Sequence, residues 1–476
     1  MARRNEKVFK DAVHGYIRVP RELCSRFVDT PLFQRLRHVE QTPMRCLYPS
    51  ARHDRFIHSL GAYHLGCKAF ESLIQNAQPL IDELESQKDL SELKTTFLLA
   101  CLLHDCGHSP FSHTFESHYD RGSRLDSVLA EGMSSDASAS SDLDQCNPAP
   151  HEKASAALIL RDFAADIRAL DGDPCLAARM VMGCAYHSSI DPKLRFRNAV
   201  ISLLNGTAID VDKLDYITRD TWASGVVNVP IDIDRLLGAI TAVLHPHPIV
   251  RVAYLETALS VLQSVVDARN FLYTWVYSHH KVIYDQYLLT TAVEEVVRQL
   301  SSTGLQTIFS LEALTVPVQV GSAPIFRPAD GDLIYLLKAY GQRIPEAQEW
   351  LSRKHSRKAL WKTCAQYKQL FLHLNESELN AIERALNDNG IRTQWWADQQ
   401  LVGSPVVRPA RIKIYEIGEN DLLVQLSQSA QVLCYTDAVA ERTTIPVNPV
   451  PRFYLYVPNL GSIDEASLVK SIIGLA

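Results

Sequence analysis

The sequence predicts a mainly α-helical protein with a smaller α+β region toward its C-terminal end. Apolar residues recur at helical spacing through residues 20–116 and 256–300, and turn signals such as "TPLF" and "GHSP" separate the blocks. Beyond Pro317 the segments "RIKIYEI", "DLLVQL" and "RFYLYV" alternate β-branched and aromatic residues, as strands do. Because 476 residues exceed what one core usually serves, we expect a helical lobe over residues 1–316 and an α+β region over 317–476.

The helical lobe is expected to be a series of helices with one interruption. The helix that reaches "LLACLLHDCGH" should end there, because Gly107 can adopt a positive φ and Pro110 forbids continuation. A polar tract rich in Ser, Asp and Ala suggests a mobile insert over 117–150, after which a helix should restart at His151. A single long helix is predicted from Glu256 to Leu300.

Composition and charge narrow the class of partner. Lys and Arg number 48 against 54 Asp and Glu, so the formal net charge is −6 and no broad basic field is present for a nucleic-acid backbone. The basic cluster "RKHSRK" (353–358) is expected to be a solvated helix face. Ten cysteines fall singly, which favours reduced thiols in a cytoplasmic protein, and no apolar run approaches the length of a membrane span. Any small anionic substrate must therefore meet positive charge locally.

Histidines are crowded into the first third of the sequence, where ten of the 17 occur. A single buried imidazole usually satisfies itself with two hydrogen bonds, so each histidine alone favours a structural role. The adjacent pair His104 and Asp105 is different, because an imidazole and a carboxylate on one helix end are two preorganised ligands for a divalent cation. His58 and Asp212, on two other predicted helices, could complete the set. Nitrogen and oxygen donors without thiolate favour Mn, Fe, Zn, Ni or Mg over a structural zinc of the cysteine type.

Six stretches, in order, carry a resemblance to a known family: "KVFKDAVHGYI", "VDTPLFQRLRHVEQ", "ARHDRFIHSLG", "LLHDCGHSPFSHTFE", "HEKAS" and "DVDKLDYITRD". From about Lys7 to His280 the chain resembles the HD-domain phosphohydrolases, and within them the deoxynucleoside triphosphate triphosphohydrolases of the SAM-and-HD-domain type. The resemblance implies a mainly helical catalytic lobe, a homo-oligomer and cleavage of a dNTP to nucleoside and triphosphate. It also implies a metal held by four ligands, which are His58, His104, Asp105 and Asp212.

Four further residues are expected to act in catalysis. By resemblance, His108, His113 and His151 contact the phosphates or relay a proton, and Glu152 helps to orient them. His151 and Glu152 open a predicted helix, where unpaired N–H groups and the helix dipole favour an anion. For Glu152 the alternative is an ordinary acidic residue at a helix N-terminus.

The resemblance assigns six residues to substrate binding and three to a regulatory nucleotide. The substrate-binding residues are Gln41, Arg55, Lys213, Tyr216, Asp220 and His279. The regulatory residues are Asp29, Gln34 and Arg37. A carboxylate can accept from the N1–H and amino edge of guanine while arginine donates to O6 and N7, so these types suit GTP or dGTP as an effector. The alternative for the regulatory residues is a structural turn with helix-surface pairs.

The chain also departs from the family pattern. Where family triphosphohydrolases place an arginine just before the positions of Tyr277 and His279, this chain has Thr274 and Trp275. Lys281, or a cation from a neighbouring subunit, could replace the missing charge. One alternative to a dNTP hydrolase is a phosphodiesterase or nuclease with the same metal set, acting on nucleic acid or another nucleotide. A second alternative is a non-catalytic nucleotide-sensing scaffold.

Overall fold

The computed structural model describes most of the chain. The described residues are 5–84, 86–119, 123–187, 191–226, 231–245, 249–300, 304–371, 373–389, 410–411, 422–426, 431–438, 451 and 453–458. Within this part of the chain helices predominate and the sheets are small, so the predicted mainly α class is confirmed.

The α-helices succeed one another with short connections. In chain order they are α1 (Arg21–Leu23), α2 (Pro31–Gln34), α3 (Arg55–Asn76), α4 (Gln78–Leu84), α5 (Gln87–Leu103), α6 (Ser123–Gly132), α7 (Ala139–Gln145), α8 (Pro150–Leu158), α9 (Ala164–Arg168), α10 (Pro174–Met182), α11 (Pro192–Leu204), α12 (Val211–Ser224), α13 (Ile233–Gly238), α14 (Leu259–Phe271), α15 (His280–Leu300), α16 (Asp330–Tyr340), α17 (Pro345–Ser352), α18 (Cys364–Phe371), α19 (Glu376–Asn389) and α20 (Tyr435–Ala438).

The strands form one four-stranded sheet and several two-stranded ones among the described residues. They are β1 (Glu6–Asp11), β2 (Gly15–Pro20), β3 (Ile240–Leu244), β4 (Val250–Leu255), β5 (Val318–Val320), β6 (Ala323–Ile325), β7 (Arg357–Ala359), β8 (Ala410–Arg411), β9 (Leu423–Gln425), β10 (Val432–Cys434), β11 (Phe453–Tyr454) and β12 (Tyr456–Pro458). The larger sheet has the order β10-β9-β4-β3, with only the β4–β9 pair parallel. The strands predicted in "DLLVQL" and "RFYLYV" are confirmed, whereas most of "RIKIYEI" lies outside the described residues.

Packing divides the chain into two compact units. The first comprises residues 1–269, 297–335 and 416–443, and the second comprises 270–296, 336–415 and 444–476. Each unit therefore draws on three separate stretches of chain. The single boundary predicted at residue 316 stays a prediction about domain organisation.

Helices α3, α5 and α12 of the first unit approach each other closely because α3 carries glycines at the contacts. A Cβ atom on Gly61 would lie 1.9 Å from Asp215 Oδ1 of α12, and one on Gly66 would lie 2.8 Å from the Cys101 sulfur of α5. Such contacts exclude any larger residue without a shift of the helices. The N-terminus of α3 is fixed by Asp54, whose side chain accepts from the backbone N of Ile57.

Several local predictions need correction. Gly107 has no positive φ; it is required because a Cβ there would lie 2.3 Å from the backbone N of Ser155 in α8. The predicted long helix over 256–300 is broken, since α14 is followed by π-helical residues Leu272–Tyr277 and α15 begins only at His280. The cluster at 353–358 is not a helix face, because it follows the end of α17 and enters β7.

The stretch predicted as a mobile insert contains two helices, α6 and α7. Arg179 of α10 holds this stretch, donating to Asp136 Oδ2 at 2.7 Å and to Asp142 Oδ2 at 2.9 Å. The predicted restart of a helix at His151 is confirmed within one residue, because α8 begins at Pro150. No helix in the described ranges combines the length and apolarity that crossing a membrane requires.

Candidate metal centre and adjoining histidine cluster

Three helices of the first unit bring His58, His104 and Asp212 together. His58 lies in the first turn of α3, His104 follows α5 directly, and Asp212 lies in the first turn of α12. His58 Nε2 is 3.3 Å from His104 Nε2 and 2.9 Å from Asp212 Oδ1, and His104 Nε2 is 3.6 Å from Asp212 Oδ1. The Asp105 carboxylate completes the set, with one oxygen 3.5 Å from His58 Nε2 and the other 3.5 Å from His104 Nε2.

These separations fit a single divalent cation. Two donors each about 2.1 Å from one ion are about 3.0 Å apart at a right angle and about 3.4 Å apart at a tetrahedral angle. The observed separations of 2.9–3.6 Å bracket these two values, and the four side chains would supply two imidazole nitrogens and two carboxylates. Such a donor set suits the metals predicted from the sequence.

Hydrogen bonds on the far side of each imidazole orient its Nε2 toward the centre. His104 Nδ1 donates to the Cys101 carbonyl oxygen at 2.9 Å, and His58 Nδ1 is 2.7 Å from Asp215 Oδ2. A neutral imidazole that donates through Nδ1 leaves Nε2 with a lone pair, which is the form that binds a metal. Asp215 is held in turn by Arg219 and by His14 Nε2 at 2.6 Å.

The electrostatics of this centre favour positive charge. Burial opposes protonation of His58, but Asp212 and Asp215 outweigh it and raise the His58 pKa to about 10. Burial likewise opposes ionisation of Asp105, yet the guanidinium of Arg55 and the two imidazoles hold the pKa of that carboxyl below its usual range. An environment that stabilises a protonated imidazole also stabilises a bound cation at the same position.

A second cluster, of His108, His113 and His151, adjoins the first. The rings of His108 and His151 stack at 4.0 Å, and one nitrogen of each of the three rings lies within 4.8 Å of the others. His108 Nε2 is 3.5 Å from Asp105 Oδ1, so Asp105 links the two clusters. Neither ring nitrogen of the buried His108 has a hydrogen-bond partner among the described residues. The three nitrogens could hold a further cation or receive the oxygens of an anion.

Glu116 organises this histidine cluster. Its carboxylate lies 2.5 Å from His151 Nδ1 and 3.0 Å from His113 Nδ1. Burial alone raises the pKa of Glu116, but the two imidazoles outweigh burial and keep the carboxyl ionised. Burial disfavours a charged His151, and the hydrogen bond to Glu116 outweighs it, so the His151 pKa is raised from its usual value.

The turn that carries the cluster has an unusual backbone. Phe111 and Ser112 have φ values of 53° and 52°, which lie in the left-handed region that residues other than glycine rarely adopt. Asp330 Oδ1 accepts from the backbone N of Phe111 at 2.6 Å, and the Ser112 hydroxyl donates to the Glu40 carbonyl oxygen. These bonds hold the strained turn and place His113 and Glu116 on the 3₁₀ turn Ser112–His118 that follows.

Arg55 and Gln41 are buried beside Asp105. Arg55 donates to Asp105 Oδ2 at 2.8 Å, to the Ser112 hydroxyl at 2.9 Å and to the Gln41 carbonyl oxygen at 3.1 Å. Gln41 Oε1 is buried and has no hydrogen-bond partner among the described residues, so it can still receive a donor. The structure therefore brings both residues to the centre, and their role in binding substrate stays a prediction.

The other predicted substrate residues are placed differently. Lys213 and Tyr216 lie on α12, and the Lys213 ammonium donates to the Gly206 carbonyl oxygen at 2.8 Å and to Asp210. Asp220 is fully buried and lies 2.6 Å from His53 Nε2. His279 belongs to the second compact unit. Their roles stay predictions.

Glu152 and the predicted regulatory residues have identifiable local partners. Glu152 Oε2 accepts from the backbone N of Ala149, which is the ordinary role of an acid at a helix N-terminus. Asp29 accepts from Lys7 at 2.9 Å, and Gln34 Oε1 accepts from Arg37 at 2.9 Å. These pairs are compatible with either the regulatory role or the structural alternative.

Sequence reasoning missed Glu116, Asp215, Arg219 and His14. Glu116 stands three residues after His113, a spacing that puts both side chains on one face of a helical turn, so a signal was present. Asp215 and Arg219 stand at i and i+4 on α12, which also predicts a pair. His14 approaches Asp215 across 201 positions, and only the fold reveals that contact.

Comparisons with known proteins extend these observations. No family model matches the chain. The deoxynucleoside triphosphate triphosphohydrolase SAMHD1 of Gallus gallus is 31% identical over 280 residues, covering 57% of this chain and 42% of the relative. The SAMHD1 homolog of Dictyostelium discoideum is 31% identical over 280 residues, covering 58% of this chain and 47% of the relative. The uncharacterized protein YwfO of Bacillus subtilis is 28% identical over 303 residues, covering 63% of this chain and 58% of the relative. The chain spans about half the length of the curated relatives it matches.

Solved structures share the fold over nearly the whole chain. A hypothetical protein from Aquifex aeolicus superposes with a TM-score of 0.62 at 19% identity, covering 99% of both chains. A phosphohydrolase from Bacteroides thetaiotaomicron gives a TM-score of 0.62 at 18% identity, covering 95% of this chain and 100% of that one. At such identity the likeness concerns the fold alone.

The mainly helical fold and the His, His, Asp, Asp centre resemble those of the HD-domain class. Within that class the resemblance to the HD-domain phosphohydrolases, and to the deoxynucleoside triphosphate triphosphohydrolases of the SAM-and-HD-domain type, is confirmed by the sequence relatives.

Proposed function

We propose that the protein is a metal-dependent nucleotide phosphohydrolase that cleaves dNTPs to deoxynucleoside and inorganic triphosphate. One observation carries the proposal. Asp105 lies 3.5 Å from His104 Nε2 of the metal-binding cluster and 3.5 Å from His108 Nε2 of the histidine cluster. The proposed cation centre therefore adjoins a set of imidazoles, a combination suited to the hydrolysis of a phosphate ester.

The metal would be held by the four side chains His58, His104, Asp105 and Asp212. A divalent ion in such a site lowers the pKa of a bound water and withdraws charge from a phosphoryl oxygen. The identity of the ion among Mn, Mg, Fe, Zn and Ni is left open by this donor set.

In this proposal, residues of the second cluster bind the phosphates and supply the proton for the leaving group. The ring nitrogens of His108 have no hydrogen-bond partner among the described residues, and His113 is half-exposed, so both side chains can hydrogen-bond the phosphates of a substrate seated on the cluster. Glu116 keeps a proton on His151, which can donate it to the leaving O5′ atom as the bond from O5′ to the α-phosphorus breaks. Water supplies the oxygen that joins the α-phosphorus, so the products are the nucleoside and triphosphate.

Nucleotide recognition and regulation extend the proposal. The buried Gln41 Oε1, which has no hydrogen-bond partner in the described part of the chain, is a candidate acceptor for the nucleoside. Lys213, Tyr216, Asp220 and His279 remain proposed contacts to phosphates and sugar. Asp29, Gln34 and Arg37 are proposed to bind GTP or dGTP as an effector in a homo-oligomer, which predicts that these nucleotides alter the rate and that Asp29→Ala removes the response.

The decisive experiment identifies products. Purified protein is incubated with each dNTP, with a dNMP and with a short single-stranded oligonucleotide in Mn or Mg, and the products are identified by mass. Release of inorganic triphosphate supports the proposal. Turnover of only the monophosphate or oligonucleotide moves the protein to the phosphodiesterase or nuclease class, and Thr274 and Trp275 in place of arginine would then explain the change. No turnover with bound metal would favour a nucleotide-sensing scaffold.

A further inference from the structure

Two cysteine thiols of the first unit meet at the end of the stretch that the sequence predicts to be a mobile insert. Cys146 directly follows α7, and Cys184 stands just beyond the end of α10 at Met182. The Cys184 thiol donates a hydrogen bond to the Cys146 sulfur, and the Cys146 thiol donates to the Met182 carbonyl oxygen at 3.3 Å. These two cysteines, the thiol pair, belong to neither cluster of the candidate site.

Backbone bonds and one arginine hold the thiol pair in place. The backbone N of Cys146 donates to the Asp142 carbonyl oxygen at 3.0 Å, and that of Cys184 donates to the Arg179 carbonyl oxygen at 2.9 Å. The Arg179 guanidinium lies 3.7 Å from the Cys184 sulfur and donates to the Asp142 carboxylate at 2.9 Å. Because Arg179 contacts the chain on both sides, the two sulfur atoms stay close together without depending on a flexible side chain.

The two thiols differ in exposure and in acidity. Cys146 is partly exposed, whereas Cys184 is fully buried. The hydrogen bond from Cys184 lowers the pKa of Cys146, and the same bond together with burial raises the pKa of Cys184. Burial instead raises the pKa of Cys67 and of Cys364, two other partly exposed cysteines. Since the thiolate is the reactive form of cysteine, Cys146 is the member of the pair that an oxidant attacks first.

The thiol pair lies where two helix ends already contact each other. The segment after Cys146 leads into α8, which begins at Pro150 and carries His151. Asn205 Nδ2 donates to the Val181 carbonyl oxygen of α10 at 2.9 Å and to Glu152 Oε1 of α8 at 2.8 Å. A covalent bond between the two sulfur atoms would add to these hydrogen bonds, so residues 146–149 would lose conformational freedom.

We propose that Cys146 and Cys184 form a reversible disulfide on exposure to hydrogen peroxide, and that this bond fixes the segment leading to His151. The Cys146 thiolate attacks one peroxide oxygen, and the O–O bond breaks to give a sulfenic acid on Cys146 and a hydroxide ion. The Cys184 sulfur then attacks the sulfenic sulfur, the S–S bond forms, and the hydroxyl group leaves as water with the Cys184 proton. Two thiols are oxidised and the peroxide is reduced to water, and an external thiol reverses the reaction by exchange.

The test maps the bond directly. The whole chain is treated with limiting hydrogen peroxide, its free thiols are alkylated, and its peptides are identified by mass. We expect a peptide cross-linked between Cys146 and Cys184, with loss of alkylation at both, and full recovery after dithiothreitol. Cys184→Ala should stop the reaction at a sulfenic acid on Cys146, which dimedone traps, and Cys146→Ser should leave Cys184 alkylated. Cys364→Ser, which removes a partly exposed thiol outside the pair, should form the same cross-link.

Hydrogen–deuterium exchange tests the effect on the segment. Residues 146–149 should take up less deuterium in the oxidised wild type than in the reduced one, and peroxide should leave uptake in Cys146→Ser unchanged. Equal uptake in the two forms of the wild type would show that the bond does not fix this segment. The proposal is overturned if both cysteines are still alkylated when Cys364 is already oxidised, or if Cys146 pairs with any other cysteine. Neither metal nor turnover is measured, so the outcome is independent of the proposed enzyme activity.

Discussion

The two histidine clusters use the same side chain in opposite ways. In the candidate metal cluster each imidazole is fixed on its far side, His58 by Asp215 and His104 by the Cys101 carbonyl oxygen. In the other cluster His151 and His113 share one carboxylate, Glu116, and His108 has no hydrogen-bond partner in the part of the chain that the structure describes. The first arrangement presents fixed lone pairs to a cation, and the second leaves nitrogens and a proton available for an anion.

The scaffolds of the clusters differ as well. The candidate metal ligands lie on or next to three helices that are packed closely through Gly61 and Gly66. The second cluster depends on the strained turn at Phe111 and Ser112 and on the N-terminus of α8. A rigid helix packing suits ligands that must keep fixed separations, whereas a turn and a helix end leave side chains that can adjust to a substrate.

The largest expected effect comes from removing an anionic metal ligand. Asp212→Ala should abolish bound metal and lower hydrolysis by about a thousandfold or more, because an ion at such a site contributes several kcal/mol to stabilising the transition state. Metal content by plasma mass spectrometry and product release check both. Asp234→Ala, an exposed carboxylate paired with Lys68, is the matched control. Normal metal content with normal turnover would show that the first cluster is not a metal site.

A smaller loss is expected from Glu116→Gln. Without the carboxylate the proton on His151 is held less tightly, so turnover should fall by about a hundredfold while metal content stays normal. Glu116 raises the His151 pKa, and a proton donor loses activity as pH rises through its pKa. The variant should therefore lose its remaining activity at lower pH than the wild type.

The pH profile of turnover decides this second prediction. Glu71→Gln, which alters a surface pair with Lys94, should leave the profile in place. An unshifted alkaline limb in Glu116→Gln would remove His151 from the role of proton donor and make the second cluster a structural one.

An intermediate effect is predicted for the group behind His58. Asp215→Asn keeps the size of the side chain but weakens the hydrogen bond to His58 Nδ1, so metal affinity should fall by about 10- to 100-fold. Competition with a metal-binding dye measures the affinity. An unchanged affinity would show that the hydrogen bond from His58 Nδ1 to Asp215 does not orient the imidazole for metal binding. The proposed difference between the two clusters would then be wrong.

The smallest effect concerns the contact between the turn that joins the clusters and α8. In Gly107→Ala the new Cβ would lie 2.3 Å from the backbone N of Ser155, which must move, so the free energy of unfolding should fall by about 1–3 kcal/mol. Gly238→Ala is the control, because a Cβ there would meet no neighbouring group of the described chain within 4 Å and the position requires no positive φ. Urea denaturation compares the two, and equal stabilities would show that the turn and α8 are not held in close contact.

The sequence by itself determined the helical class, the helices that carry His58 and Asp212, and the residue types of a metal set. Local spacing is sufficient for these conclusions, since helical periodicity and an adjacent His-Asp pair are properties of short segments. The C-terminal strands in "DLLVQL" and "RFYLYV" were predictable for the same reason.

Only the tertiary structure decided which separated residues meet. Helix packing over long sequence separations brings His58 Nε2 to 2.9 Å from Asp212 Oδ1 and His14 to Asp215. It also places residues 31–54 and 327–334 around one cavity. Packing also decided the role of Gly107, whose φ is ordinary and whose small size is what α8 requires. The sequence did not predict the break between α14 and α15, because its apolar residues recur at helical spacing through both helices. That spacing indicates which face of a helix is buried, but it does not indicate where the backbone hydrogen-bond pattern changes.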